Sequence, residues 1–442
     1  MELFIDHTPM TLAKWPNDGV AMITDVIDQG SIPKKHDFSM RGGTIKFDYN
    51  RAKYWKQPDK IWLWGYFGAG YADDNLGVEK INLKDKTIKL KHASMFGIKK
   101  SDPKDEWVGR IVGYYAYNVP EEIDMPGEYY IDHETGILYL YPPKGFENAE
   151  ISVSMMEDPL MAVENTSNIK FSGITFEYGR GMGVYLEGGQ NVQFKDCVFR
   201  NFGTIAVMMG KGVGKPDYPI HEMTGELVPR RVGNLKAHNY ENSNFDNNAG
   251  KNHLFDHCKM YNLGSGGMVL SGGNRKNLIL GNNTIQNSEI YDYNRRNKTY
   301  CAGVTLFGVG NTISHCYIHD APHQAIALFG NEHLIEYNHI QHVVKNVNDM
   351  GAICIGRNPS ERGNVIRYNF FDEMGTDGFK NCAVMLDDGT SDVLIEGNVF
   401  YKCSRYNFGN ITFNGGCDNV VKNNIFIDGA HTIWIEDRKL SM

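Results

Sequence analysis

The chain has 442 residues, a formal net charge of −8 and 22% charged residues. One hydrophobic core rarely serves more than about 250–300 residues, so the length predicts two structural units. The sequence contains no run of about 18 apolar residues, which excludes a membrane-spanning helix. It also lacks a stripe rich in lysine and arginine, which argues against a nucleic-acid partner.

The first 150 residues differ in composition from the rest. Residues 1–150 contain 6 asparagines, whereas residues 151–442 contain 35. Residues 128–143 read as two β-rich runs around a polar turn, and residues 60–67 read as an aromatic strand. We therefore predict a β-sandwich-like module over residues 1–150, with the aromatic side chains of 60–67 in its core rather than on a sugar-stacking platform.

A nine-residue pattern recurs nine times after residue 150. Each copy largely alternates apolar and polar residues, as a strand requires, and a second short strand follows it. Asn or Cys holds the sixth position in every copy except the first. The copies are IKFSGITFE at 169, VQFKDCVFR at 192, HLFDHCKMY at 253, LILGNNTIQ at 278, NTISHCYIH at 311, HLIEYNHIQ at 333, NVIRYNFFD at 364, VLIEGNVFY at 393 and NVVKNNIFI at 419.

This repeat predicts an all-β fold, a right-handed parallel β-helix over residues 151–442, in which equivalent side chains stack from coil to coil. Stacked asparagine amides can hydrogen-bond along the axis of such a fold. Three of the eight cysteines, Cys197, Cys258 and Cys316, share the asparagine register, so we interpret them as buried structural thiols. We expect no cofactor and no metal site. The insertion at 203–252 is long enough to form a wall of the groove.

Acidic residues gather around the second strands of coils five to seven. The alternation points Asp387 outward, stacked with Gly356 and Asn414, and the small Gly356 predicts an empty space beside the carboxylate. Arg357 and Asp388 occupy the next position along. The surface residues of these strands are then expected to be Ala327, Cys354, Met385 and Thr412.

Paired carboxylates support glycoside hydrolysis, in which one acts as an acid and the other as a base or nucleophile. Our catalytic candidates are Asp349, Asp387 and Asp388. Our candidates for substrate binding are His323, Arg357, Glu361 and Asn414.

This assignment meets a geometric difficulty. Asp349 begins one strand and Asp387 ends the next, so straight strands would hold them roughly 20 Å apart. Either the coil bends, or the pair is Asp388 with Glu361, or Asp349 with Asp377. An ordinary turn is the alternative interpretation of residues 387–389.

Several stretches resemble glycoside hydrolase family 141, a family of β-helix enzymes akin to the β-helical xylosidases. The most specific are GVGNTISHCYIHDAPHQAI (308–326), NDMGAICIGRNPSERGNVIRYNFFDEMG (348–375) and VMLDDGTSDVLIEGNVFYKC (384–403). Residues 2–18, 126–143 and 270–278 also resemble that family. The resemblance implies an inserted sandwich-like module, hydrolysis of plant cell-wall glycans, and α-L-fucosidase or xylanase activity.

For the site, the resemblance implies catalytic carboxylates at Asp349 and at one of Asp387 and Asp388. The chain departs from the family at Asn348 and Asn274, where the family usually carries acids, so a polar contact in the groove is expected to differ. The resemblance starts inside the usual family sequence and stops soon after residue 439. We therefore expect the first coils and a secretion signal to be missing from this chain, and the location to be extracellular or periplasmic.

Three hypotheses of function follow. The first is hydrolysis of a pectic or hemicellulosic oligo- or polysaccharide, by α-L-fucosidase or xylanase/xylosidase activity. The second is a β-helix polysaccharide lyase or uronate epimerase, which would use Lys or Arg bases and cations to neutralise a substrate carboxylate. The third is a non-catalytic glycan-binding rod in which the acids are turn residues.

Overall fold

The structure, a computed structural model, describes residues 1–105, 111–213, 227–228, 245–375, 379–404 and 408–438. The candidate Asp377 and most of the predicted wall at 203–252 lie outside the described residues. The chain divides into two compact units, Met1–Val153 and Ser154–Met442. Among the described residues, no helix has the length and apolar character that crossing a membrane demands.

The first unit is built around a seven-stranded sheet in which every neighbouring pair is antiparallel. In sheet order its strands are Lys14–Trp15, Gly113–Tyr117, Trp62–Ala69, Ala72–Asn82, Thr87–Leu90, Thr44–Lys46 and Asp25–Asp28. Two three-stranded sheets contain Ile151–Val153, Leu3–Ile5 and Thr8–Pro9, and Ile137–Leu140, Glu128–Asp132 and Thr11–Leu12. Short 3₁₀ helices occur at Pro33–Lys35, Arg51–Tyr54, Pro58–Lys60, Pro120–Glu122 and Phe146–Asn148.

The long strand Ala72–Asn82 joins the two halves of the seven-stranded sheet. Its first part pairs with Trp62–Ala69 and its second part with Thr87–Leu90. Leu63 from one half and Ile88 from the other belong to one cluster of buried side chains. The two halves therefore close on a shared core, while Trp62, from the aromatic strand, remains 37% exposed.

The second unit consists of three long sheets, each of which receives one strand per coil in parallel with its neighbours. Sheet A contains Met161–Glu164, Val184–Glu187, Val207–Met209, Met268–Leu270, Val304–Leu306, Ile326–Leu328, Met350–Gly356, Asn381–Asp387, Ile411–Asn414 and Ile433–Glu436. Sheet B contains Lys170–Ser172, Gln193–Lys195, Leu254–Asp256, Thr284–Gln286, Thr312–Ser314, Leu334–Glu336, Asn364–Arg367, Val393–Glu396 and Val420–Lys422. Sheet C contains Thr175–Glu177, Val198–Phe202, Lys259–Leu263, Glu289–Tyr291, Tyr317–His319, His339–Gln341, Phe370–Asp372, Val399–Tyr401 and Ile425–Ile427.

These sheets confirm the predicted all-β, right-handed parallel β-helix. Sheets B and C are the two halves of the repeated sequence pattern, and sheet A is the strand that follows it. Two antiparallel strand pairs project from the coils: Gly212–Val213 with Leu227–Val228, and Gly273–Asn274 with Ile279–Leu280.

The fourth copy of the repeat was placed wrongly by the sequence pattern. The strand of sheet B in this coil begins at Thr284, so the copy starts at Asn283 and its sixth residue is Ser288. The apolar residues Ile279–Leu280 imitate the start of the pattern, but they belong to the antiparallel pair instead. The Ser288 hydroxyl still serves the ladder, because it accepts a hydrogen bond from the Cys258 backbone N–H at 3.0 Å.

The asparagine ladder lies at the turn between sheets B and C. The backbone N–H groups of Asn338, Asn369 and Asn398 each donate to the side-chain oxygen of the asparagine in the next coil, at 2.8–3.0 Å. Asn424 ends this series. Since the side-chain amides also donate to backbone carbonyls, buried polar groups in these coils find partners along the axis.

Candidate active site

Asp349 immediately precedes the Met350–Gly356 strand, which packs closely at Gly351. A Cβ atom added to Gly351 would lie 2.7 Å from both the Ile353 carbonyl oxygen and the Met385 Cβ. The Asp349 backbone takes the left-handed conformation, with φ of 60°, and its N–H donates to the Lys380 carbonyl at 2.8 Å. Asp349 therefore lies in a left-handed turn just before the Met350–Gly356 strand, and its pKa responds to the Asp387 carboxylate, so the straight-strand separation does not apply.

The prediction about the surface residues of sheet A was wrong. Ala327, Cys354, Met385 and Thr412 were expected on the surface, but each is at most 7% exposed. Gly351 approaches Met385 directly, and Ala327 packs with Ala302 and Phe329, so neighbouring parts of the coils cover these positions.

Asp349 and Asp387 influence each other electrostatically. The pKa of Asp349 is raised to about 6, first because burial disfavours the charged form and next because of the Asp387 carboxylate. Arg438 and Lys380 oppose this increase. Both carboxylates also raise the pKa of the buried Cys354 thiol, which places this side chain near the two acids.

Asp387 ends its strand beside Gly356 of the preceding coil. The empty space predicted at Gly356 is absent, because a Cβ atom there would lie 2.8 Å from the Asp387 Cβ. Burial raises the pKa of Asp387, whereas a hydrogen bond from Asn414 Nδ2 to Asp387 Oδ1 at 2.6 Å lowers it. Glycine thus permits close approach, and Asn414 orients the carboxylate.

Asp388 lies between two guanidinium groups. Arg357 Nε is 2.7 Å from Asp388 Oδ2, and Arg438 forms an ion pair with Asp388 Oδ1. Arg438 Nη1 also lies 3.7 Å from Asp387 Oδ1. Asp388 therefore connects arginines from two other coils to the site. Ion pairs engage Asp388, whereas burial is the main influence on the pKa of Asp349 and Asp387.

Sequence reasoning missed Arg438 and Lys380. Arg438 lies two residues beyond Glu436, which pairs in register with Asn414. Lys380 immediately precedes the Asn381–Asp387 strand, whose first residue pairs with Met350. Correct alignment of the sheet A strands was the signal that could have placed both cations near the acids.

Glu361 belongs to a separate cluster. It was considered as a partner of Asp388, but its Oε1 lies 3.4 Å from Arg275 Nη1, and the side chains of Arg275 and Glu361 are 9% and 6% exposed. Burial raises the pKa of Glu361 to about 7. Glu361 pairs with Arg275 instead of Asp388 because Arg275, at the tip of the Gly273–Leu280 hairpin, reaches across the coils.

His323 is fully buried, and its ring lies 5.1 Å from the ring of Tyr300. The structure brings Asp349, Asp387, Asp388, Arg357 and Asn414 together, whereas His323 packs beside Tyr300 and Glu361 pairs with Arg275. Within the described part of the chain, no group of three His, Cys, Asp or Glu side chains is arranged to hold a metal ion.

Neighbouring carboxyl groups that interact titrate as a coupled pair, and here Asp387 raises the pKa of Asp349 while Asp388 raises the pKa of Asp387. Near pH 6, such a pair can hold one proton, which leaves one acid able to donate a proton and one carboxylate able to accept one or to attack. The hydrogen bond from Asn414 favours the charged form of Asp387. Asp349 is accordingly the better proton donor.

Residues 302–441 match a family model described as a right handed beta helix region. A solved structure described as a glycoside hydrolase aligns with a TM-score of 0.66 at 13% identity, covering 97% of this chain and 77% of that chain. No curated protein sequence matches the chain.

Two further structures align less closely. A mannuronan C-5 epimerase A-module from Azotobacter vinelandii gives a TM-score of 0.41 at 10% identity, over 62% of this chain and 65% of that chain. An alginate lyase from Paenibacillus sp. gives 0.40 at 12% identity, over 62% of this chain and 90% of that chain. The family-model match and the glycoside hydrolase alignment agree with the observed sheets in giving this chain a right-handed parallel β-helix fold.

Proposed function

We propose that this protein is a glycoside hydrolase that acts on plant cell-wall glycans in the manner of glycoside hydrolase family 141. The observation that carries the proposal is the buried Asp349, whose pKa the Asp387 carboxylate helps to raise, next to Asp387, which accepts a hydrogen bond from Asn414. Pectic and hemicellulosic chains are the proposed substrates, and α-L-fucosidase and xylanase or xylosidase are the proposed activities. We further propose that the enzyme works outside the cytoplasm, where such polymers occur.

In this proposal Asp349 is the general acid and protonates the leaving oxygen of the glycosidic bond. Asp387, held by Asn414, is the nucleophile or the base that activates water. Asp388 serves as a positioning residue, because its carboxylate is engaged by Arg357 and Arg438. The ion pairs support the choice of Asp387 over Asp388 as the second catalytic acid.

A lyase or epimerase is the second candidate, and one observation favours it. Arg357, Arg438 and Lys380 bring three cations close to the carboxylates, where the sequence had indicated only Arg357. Cations in this position could neutralise the carboxylate of a uronate, which proton abstraction beside that group requires.

Product analysis separates the candidates. The protein is incubated with aryl glycosides, xylan and pectic polysaccharides, and the products are examined for new reducing ends and for ultraviolet absorbance. Hydrolysis predicts new reducing ends without unsaturated sugars. Unsaturated products would identify a lyase, C-5 inversion without cleavage would identify an epimerase, and binding without any reaction would favour the non-catalytic rod.

A further inference from the structure

Exposed aromatic rings line the turn between sheets B and C. His315, Tyr337 and Tyr368 each follow the last residue of a sheet B strand, in three successive coils. The ring centroids are 5.0 Å apart between His315 and Tyr337, and 5.3 Å apart between Tyr337 and Tyr368. Tyr337 is 49% exposed and Tyr368 is 43% exposed. We call these three residues the aromatic ladder.

The backbone conformation at these three positions is unfavourable for histidine and tyrosine. His315, Tyr337 and Tyr368 have φ values of 54–55°, in the left-handed region that bulky side chains disfavour. The other coils meet the same requirement mostly with short polar residues or glycine. The corresponding residues are Gly173, Asp196, His257, Asn287, Gly397 and Asn423, all with positive φ. Two tyrosines in consecutive coils therefore carry a conformational cost that asparagine would reduce.

A second row of rings borders the ladder on sheet C. The Tyr317 and His339 ring centroids lie 4.7 Å apart, and those of His339 and Phe370 lie 4.9 Å apart. Each of the three coils thus contributes one ring to the ladder and one to the bordering row. Together they form a strip of aromatic surface parallel to the axis of the β-helix.

The chemistry of this strip is amphipathic and close to neutral. Arg367 lies over the Tyr368 ring at 5.7 Å and donates to Glu336 at 2.8 Å, so its charge is matched. Because the rings stack at interplanar angles of 22° and 24°, they present apolar edges and the tyrosine hydroxyl groups outward. A ligand that presents both C–H groups and hydroxyls, repeated along a chain, fits that combination.

We propose that the aromatic ladder is a second glycan-binding site, which holds an uncharged stretch of polysaccharide along the axis of the β-helix. The proposal rests on the proposed function, since a second binding site of this kind serves an enzyme that acts on polymers. Binding to the ladder is nevertheless separate from catalysis, because its residues belong to the B–C turn and the acids to sheet A.

The test replaces Tyr337 and Tyr368 with asparagine, the residue that the chain itself uses at 287 and 423. Affinity electrophoresis through gels containing xylan or pectic galactan measures binding. We expect the dissociation constant of the double variant to rise at least about tenfold, as the loss of two aromatic contacts implies. Hydrolysis of an aryl glycoside is expected to stay unchanged.

Melting temperature separates binding from a merely structural role. Because asparagine relieves the left-handed backbone, we expect the melting temperature of the double variant to be unchanged or higher. If the wild type is not retarded by either polysaccharide, or if retardation survives in the double variant, the proposal is wrong. A lower melting temperature with unchanged retardation would make the ladder a structural element instead.

Two further variants keep the test decisive. The single variant Tyr337→Asn serves if the double variant does not fold. Measuring retardation in an Asp387→Asn background separates this proposal from the catalytic one. If no substrate is hydrolysed but retardation depends on Tyr337, the proposed function fails and the second site stands.

Discussion

Asp349 is a carboxyl group that the folded protein makes harder to ionise. Its pKa rises from an ordinary value of 3.8 to about 6, chiefly through burial and the Asp387 carboxylate. The native state therefore holds this proton more tightly than the unfolded chain does. That difference connects the stability of the fold to pH, and the sign of the connection is fixed by the direction of the shift.

We predict that the contribution of Asp349 to stability is complete below pH 4 and is lost as pH rises through 6. The loss is on the order of 2–3 kcal/mol, because each pKa unit corresponds to about 1.4 kcal/mol. Urea unfolding of the wild type and Asp349→Asn between pH 4 and pH 7 measures it. The variant should lose less stability over this interval, and Asp18→Asn, at an exposed position, is the control. Parallel curves for Asp349→Asn and wild type would refute the assignment.

Position 356 requires glycine because Asp387 packs directly against it. An alanine Cβ would lie 2.8 Å from the Asp387 Cβ and 2.9 Å from its carbonyl oxygen. We predict that Gly356→Ala displaces Asp387 and lowers kcat by about 10²-fold, the effect of a misplacement near 1 Å. Gly77→Ala is the matched control, because its added Cβ would meet only the Lys91 side chain. Full activity in a folded Gly356→Ala variant would contradict this packing.

The repeated coil was readable from sequence because one side-chain position recurs with one function. Asparagine recurs at this position because each one hydrogen-bonds to the equivalent residue of the next coil, as at Asn338, Asn369 and Asn398. The fourth copy failed for a local reason, because the apolar run at Ile279–Leu280 forms an antiparallel pair. Alternation of apolar residues does not distinguish a coil strand from a strand that projects out of the coil.

Two substitutions of Asn369 in the asparagine ladder are predicted to reduce stability by different amounts. Asn369 is 2% exposed, and its Oδ1 accepts the Asn338 backbone N–H at 3.0 Å. Asn369→Ala should reduce the free energy of unfolding by about 2–4 kcal/mol, because that N–H loses its partner in a buried place. Asn369→Ser should cost less, because Ser288 provides the same acceptor in the native ladder. Urea denaturation compares the two variants, and equal losses would show that the hydrogen bond to Asn338 contributes little.

The candidate site was only partly predictable for a different reason. Residues on one strand or in adjacent coils, such as Asp387, Asn414 and Arg357, follow from register. The position of Asp349 does not, because alternation of apolar residues predicts neither its left-handed backbone nor the close approach of Gly351 to Met385. Arg438 also escaped, because it is 50 residues from Asp388 in sequence and meets it only once the coils stack.

The β-helix of Ser154–Met442 supplies two different kinds of surface. Sheet A carries the carboxylates and their arginine partners, and the B–C turn carries the aromatic ladder. Parallel stacking explains both, because it aligns residues from distant parts of the sequence into rows along one axis. A polymeric substrate suits such a molecule, since its repeats can follow the rows.

The most direct test of the catalytic proposal compares reducing-end release from a responsive plant glycan by the wild type, Asp349→Asn, Asp387→Asn and Asp388→Asn. We predict that the first two variants lose about 10²–10⁴-fold in kcat, the usual contribution of acid–base groups. Asp388→Asn should retain more activity than either, since it positions Arg357 and Arg438 without taking part in proton transfer. Circular dichroism confirms that each variant is folded. Undiminished hydrolysis by folded Asp349→Asn and Asp387→Asn would contradict the proposed catalytic pair.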